Sequence, residues 1–147
     1  MKGFPDLPPL WLALFLVLNW VVASALGGWQ SALLTGMSWV FIGLGLAVIV
    51  WAALWFWQRK TTIEPHHAPG ALIVEGPFRW SRNPIYLALL LILLGAVIGR
   101  GQPLCLIWVA LFYWVLTARF VRPEEAALRD AFGTSAQTYF NETRRWL

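Results

Sequence analysis

Two short polar segments in an otherwise apolar chain carry the residue types that could do chemistry. In the first, Gly70 and Gly76 bracket an extended apolar piece, Ala71-Leu72-Ile73-Val74-Glu75, followed by Gly76-Pro77-Phe78-Arg79 and Ser81-Arg82-Asn83-Pro84-Ile85-Tyr86. Proline at 77 and 84 biases the residue before each to extended geometry, so this stretch reads as a shaped loop entering a helix. Asn83 and the free first-turn amides of that helix form a polar, partly positive rim that suits a bound carboxylate or ribose. The plainer reading is a helix-entry loop with Arg79 and Arg82 on lipid phosphates. In the second segment, Glu124 and Glu125 follow Pro123 and open an amphipathic run, Ala126, Ala127, Leu128, Ala131 and Phe132. Acidic residues in a first helical turn are ordinary dipole partners, and Pro123 reads as an N-terminal proline. The alternative is that one carboxylate faces inward, pairing with Arg82 or Arg122 or with a cationic or hydroxyl-rich ligand, and Arg122 is the candidate substrate contact.

Those segments must be positioned by helices in a membrane. The 147 residues are 59% apolar and only 12% charged, with a mean hydropathy of +0.64, too little polar surface to cover a water-soluble globule. Leu10 to Leu26 and Met37 to Trp57 carry no charge, and each crosses most or all of a ~30 Å hydrocarbon layer. Two further uncharged runs, Ile85 to Gly99 and Leu104 to Ala118, are short for spans and predict a tight helical hairpin turned by Gly99-Arg100-Gly101-Gln102-Pro103. The fold expected is therefore all-α and integral to the membrane: four transmembrane or membrane-embedded helices and a cytoplasmic C-terminal amphipathic helix. It forms a single domain, with two transmembrane helices in residues 1–57 and a cofactor-binding half in 58–147.

With four helices, Lys2, Arg59, Lys60, Arg79, Arg82, Arg119, Arg122, Arg129, Arg144 and Arg145 fall on one side and Arg100 alone on the other. The rule that cytoplasmic loops hold the basic excess then makes both termini cytoplasmic. The net charge of +4 follows from that rule and from contact with anionic lipid, so no nucleic-acid partner is expected. Ala23-Ser24-Ala25 has the form of a signal-peptide cleavage site, a competing reading of the first apolar stretch.

The remaining features read as architecture. The uncharged turn Gly27-Gly28-Trp29-Gln30-Ser31 predicts that the first two helices pack antiparallel on one another. Asn19 is placed for an interhelical hydrogen bond, and Gly95 and Gly99 form a Gly-xxx-Gly that admits another backbone. Gly43 and Gly45 lie inside an apolar helix with no strand before them, which excludes a dinucleotide-binding turn. Cys105 reads as a small buried apolar residue, and Trp29, Trp39, Trp57 and Trp80 fall near membrane interfaces. His66-His67 have no Cys and no spaced third ligand, so no metal site is expected.

Taken together, Gly76-Pro77-Phe78-Arg79, Arg82-Asn83-Pro84-x-Tyr86, Glu124-Glu125-x-x-Leu128, Phe132-Gly133, Tyr139 and the closing Arg145-Trp146 resemble the isoprenylcysteine carboxyl methyltransferase and phospholipid methyltransferase group of integral membrane enzymes. The resemblance covers about residues 55–147, and the N-terminal part carries none of its motifs. It implies cytoplasmic segments wrapped around S-adenosylmethionine, held by Gly70, Ala71, Leu72, Ile73, Gly76, Phe78, Arg82, Asn83, Pro84, Ile85, Tyr86, Glu124 and Glu125. Asn83, Tyr86 and Glu124 would stand at the reacting centre. Family members often have His where this chain has Asn83, and Tyr where it has Ala136. The acceptor implied is lipid-like and enters from the membrane: a prenylated-cysteine carboxylate, a phospholipid amine or a small thiol. A nicotinamide-dependent membrane reductase and a non-catalytic accessory protein are the rival classes.

Overall fold

The computed structural model describes residues 6–58 and 72–147. Lys2, Arg59, Lys60, Glu64, His66, His67, Gly70 and Ala71 lie outside the described residues. Within them the chain is helical: α1 (Pro8–Leu26), α2 (Ala32–Gln58), α3 (Pro84–Arg100), α4 (Leu106–Leu116), α5 (Arg122–Phe132) and α6 (Thr134–Glu142). Proline opens α1 and α3 at positions where its missing N–H costs no helical bond. The helices α1 and α2 are each long and apolar enough to cross a membrane, whereas α3 is shorter, at 17 residues.

The fourth helix departs from the expected short run. A 3-10 turn (Pro103–Cys105), α4, a π turn (Thr117–Val121) and α5 make one continuous helical stretch of 30 residues, long enough to span. Pro123 therefore does not begin a free-standing helix. It has no N–H to give and cannot continue a regular ladder. The backbone absorbs this by widening one turn, where the Arg122 amide bonds the Thr117 carbonyl. The C-terminal segment is also two helices rather than one, because Gly133 at φ +50° breaks α5 from α6.

The expected packing of α1 on α2 is replaced by a different arrangement. α3 lies between them: α2 packs along α3, while α1 packs on α3 and α4. Small residues decide this. A methyl group on Gly45 would lie 2.7 Å from the Ala88 carbonyl, one on Gly95 2.8 Å from the Ser38 carbonyl, and one on Gly99 2.6 Å from Ser38 Oγ. Only glycine lets the α2 and α3 backbones approach this closely, as the Gly-xxx-Gly spacing predicted. The α1–α2 turn is tied to the α3–α4 turn, with Trp29 N–H donating to Gly101 C=O at 3.0 Å and Gln102 Nε2 to Gly27 C=O at 2.6 Å. Gly101 is left-handed at φ +61°.

The core sits where α1, α3 and α4 meet, around Phe15, Leu93, Phe112, Leu116 and Phe120. Asn19 makes the interhelical bond expected of it, donating to Ala96 C=O at 3.3 Å, and Cys105 is buried. At the far end, Asp6 just before α1 pairs with Arg119 at 3.1 Å and accepts from Trp11 Nε1 at 2.8 Å. The start of α1, the end of α2, the start of α3 and the π turn thus lie at one end of the bundle.

These close approaches yield a direct test. Gly95→Leu should destabilise the protein by about 1–3 kcal/mol or more, because the added carbons have no room between α3 and α2. Gly43→Leu, where a methyl group meets nothing within 4 Å, should be close to neutral. Thermal unfolding of the two variants in detergent separates them, and equal midpoints would contradict the packing described.

Candidate functional site

The candidate site is built at the N-terminal end of α3. The chain arrives there through an irregular segment, 72–74, and a 3-10 turn, Gly76–Arg79. Gly76 is left-handed at φ +60°, and a methyl group on it would lie 2.2 Å from the Trp55 indole nitrogen. The loop is therefore laid against the end of α2. Phe78 is buried, edge-on to Phe56 with ring centres 5.4 Å apart. Leu72, Ile73 and Ile85 are half-buried, and Pro84 is buried.

Asn83 precedes α3 but its side chain does not cap the helix. Its Nδ2 donates to the Arg145 carbonyl at 2.9 Å, its backbone N–H donates to Ser81 Oγ at 3.1 Å, and Ser81 Oγ donates to the same Arg145 carbonyl at 3.4 Å. The Arg82 amide donates to Arg144 C=O at 3.0 Å. The C-terminal tail thus straps the helix-entry loop. Tyr139 of α6 adds a buried bond, donating from its hydroxyl to Phe78 C=O at 2.7 Å. Burial pushes the Tyr139 hydroxyl above its ordinary pKa, with Arg82 opposing, so it remains a donor.

The two adjacent carboxylates have separate partners. Glu125 is 3% exposed and lies between two arginines, with Arg145 bonding both its oxygens at 2.9 and 2.7 Å and Arg82 Nη1 at 3.0 Å. The fork-to-fork match with Arg145 is the strong form of such a pair. Burial lowers the pKa of Arg82 while Glu125 opposes that, and the Glu125 hydrogen bond raises the pKa of Arg145. Arg82 also stacks on Phe140, 4.6 Å from the ring centre. Glu124, one residue earlier and about 100° round the helix, accepts instead from the Tyr86 hydroxyl. Tyr86 is buried in the first turn of α3, its ring 6.0 Å from that of Phe120 in the π turn.

The structure therefore brings Tyr86 and Glu124 together, holds Phe78 and Asn83 in the strapped loop on Phe56, Tyr139 and the Arg145 carbonyl, and commits Arg82 and Glu125 to an internal ion triad. Arg122 is exposed and forms no ion pair among the described residues. Two residues of this end, Ser81 and Phe120, were not singled out by the sequence reading. The Ser-x-Asn spacing is a recognisable turn signal for the first. Nothing local marks the second, since the π turn decides where its ring points.

Chemically, a carboxylate with a hydroxyl donor, walled by aromatic rings at the end of a membrane helix, can attract and orient a cation. A carboxyl group and the Tyr86 ring are groups of the type that fit a sulfonium cofactor.

The chain matches the family model described as phospholipid methyltransferase over residues 32–135. That match reaches back to the start of α2, further than the motifs alone, and stops before Tyr139 and the Arg145-Trp146 strap. Neither the curated proteins nor the solved structures gave a match. Helices able to span a membrane, a strapped polar loop entering α3 and a family match over most of the chain lead to one conclusion: this protein belongs to the phospholipid methyltransferase family, within the group of integral membrane methyltransferases that its motifs resemble.

Proposed function

We propose that the protein transfers a methyl group from S-adenosylmethionine to an amine-bearing lipid at the Tyr86–Glu124 pair. The observation that carries this reading is the hydrogen bond joining the first turn of α3 to α5 across 38 residues of sequence, inside a family of methyltransferases. The cofactor supplies an electrophilic methyl on a sulfonium, so the protein needs alignment more than strong acid or base catalysis. Glu124 draws positive charge to the site, Tyr86 fixes the carboxylate, and Phe78, Leu72, Ile73 and the Asn83-Pro84-Ile85 turn form the bed for the cofactor. An ammonium acceptor is attracted by Glu124, which can take its proton before attack, whereas a carboxylate acceptor is repelled. This favours a phospholipid amine over a prenylated-cysteine carboxylate.

Calorimetric titration of S-adenosylmethionine and S-adenosylhomocysteine into the detergent-purified protein tests the cofactor. Saturable binding is expected, with none of NADPH. No binding to a folded sample would remove the proposal and leave the reductase or accessory reading. Tyr86→Phe should lower methylation of phosphatidylethanolamine vesicles about tenfold or more, since a hydrogen bond to a charged group is worth about 1.5–3 kcal/mol.

The charge rule puts the site end of the bundle at the cytoplasm. A cysteine replacing Leu104, which is 67% exposed in the α3–α4 turn, should label only from the opposite side. Labelling from the cytoplasmic side would overturn that orientation.

A further inference from the structure

Pro123 is exposed, so its ring fills no gap in the protein, yet it sits inside the 30-residue helical stretch that carries both α4 and α5. Proline in a helix interior lacks the N–H for the carbonyl four residues back, here that of Arg119, and its ring pushes that carbonyl away. The turn just before it is the π turn Thr117–Val121, in which the Arg122 amide reaches back five residues to Thr117 rather than four to Ala118. The chain therefore carries one residue more ahead of α5 than an α turn would hold.

That extra residue sets the facing of everything after it. Successive helix positions are about 100° apart, so closing the wide turn to a regular one would move each residue of α5 into the place now held by the residue after it. Position 123 would then face Tyr86, and Glu124 would stand between Arg82 and Arg145, where Glu125 stands now. The two carboxylates are adjacent and alike, so the arginines can pair with either. Only the residue count ahead of them selects which one reaches Tyr86. Phe120, fully buried in the π turn with its ring 6.0 Å from that of Tyr86, marks the same register.

We propose that Pro123 is a positioning residue for methyl transfer: by holding the π turn open it fixes the register of α5 in which Glu124 meets Tyr86. Its effect on activity rests on the methyltransferase reading; its effect on register does not. A proline that merely stiffened the helix would act on stability alone. One that pins a register acts on which carboxylate is presented, and its loss can be undone by changing the number of residues.

A deletion and a substitution test this together. Deleting Ala118, a half-buried residue of the π turn, removes the extra residue and makes Thr117 an ordinary four-residue partner of Arg122, but leaves Pro123 against the Arg119 carbonyl of a regular helix. Pro123→Ala alone lets the turn close and α5 slip. Each change should lower methylation of phosphatidylethanolamine vesicles about tenfold or more, since the carboxylate is displaced. The two combined give a regular helix that returns Glu124 to Tyr86, and activity should recover to within about threefold of wild type, whereas independent losses would add. Unfolding midpoints in detergent read the register without activity. Glu125→Gln should lower the midpoint by about 5 °C or more in wild type and in the combined variant, and Glu124→Gln should not; in Pro123→Ala the two exchange roles. A combined variant no more active or less stable than the single changes would overturn the proposal. So would a Pro123→Ala protein in which Glu125 remains the stabilising carboxylate. Absence of methyl transfer by the wild type would instead remove the methyltransferase reading, with the midpoints still deciding whether Pro123 sets the register.

Discussion

Glu124→Gln is expected to reduce methyl transfer by roughly 10²-fold or more while the protein stays folded. The magnitude follows from what the change removes. Glutamine keeps the shape and still accepts from Tyr86, but loses the carboxylate that the pair presents to a sulfonium and an ammonium. Removing a single preorganised electrostatic group from an active site costs on that order. The check is incorporation of radiolabelled methyl groups into a lipid extract, read beside the unfolding midpoint and cofactor binding of the same sample. Full activity in the variant would show that Glu124 merely pairs with Tyr86 to hold α5 on α3. Loss of activity together with loss of fold would equally remove it from the reacting centre. Loss of activity alone, with cofactor binding weakened in parallel, is the result expected.

Glu125→Ala should instead destroy the fold rather than the chemistry. Glu125 is buried between Arg82 and Arg145, and its removal strands both cations. Breaking a buried pair in this way costs about 3–5 kcal/mol. The two arginines will not suffer equally. The Arg145 side chain is 38% exposed and can turn to water, whereas that of Arg82 is 13% exposed and held on Phe140. The strap should therefore detach first, releasing the Asn83 and Ser81 bonds to the Arg145 carbonyl. Thermal unfolding in detergent and protease sensitivity of the C-terminal tail measure this. Arg145→Ala should be milder, since Glu125 keeps Arg82, and a greater loss there than in Glu125→Ala would contradict the account. Adjacent carboxylates thus divide the work: a step of about 100° round α5 sends one to Tyr86 and the other to the strap.

Much of the architecture is legible in the amino-acid sequence. Uncharged runs with bounding arginines are enough to state that the chain is helical and membrane-embedded, because backbone polar groups in lipid must be satisfied within the segment. Glycine spacing in α3 announces a close helix contact, and Asn19 an interhelical bond, since both depend only on local side-chain size and polarity. The motifs on either side of α3 and in α5 point to the family, which the matched region then establishes. Sequence proximity fails for α1 and α2. A short turn brings helix ends together but says nothing of which faces are smooth enough to meet.

What the tertiary structure alone decided is which polar residues share a space. Glu124 and Glu125 are neighbours of one type, and no local pattern tells which faces Tyr86 and which faces two arginines. That assignment depends on the rotation of α5, and the rotation depends on the π turn that Pro123 forces on the continuous helix. Asn83, read as lining a helix-end ligand site, bonds a carbonyl 62 residues away because the C-terminal tail returns across the loop. Composition and local motifs report on one segment at a time and so determined membrane and helices and pointed to the family. The site depends on the relative rotation and closure of segments distant in sequence, information that appears only once α3 has packed between its neighbours and the tail has closed over its entry.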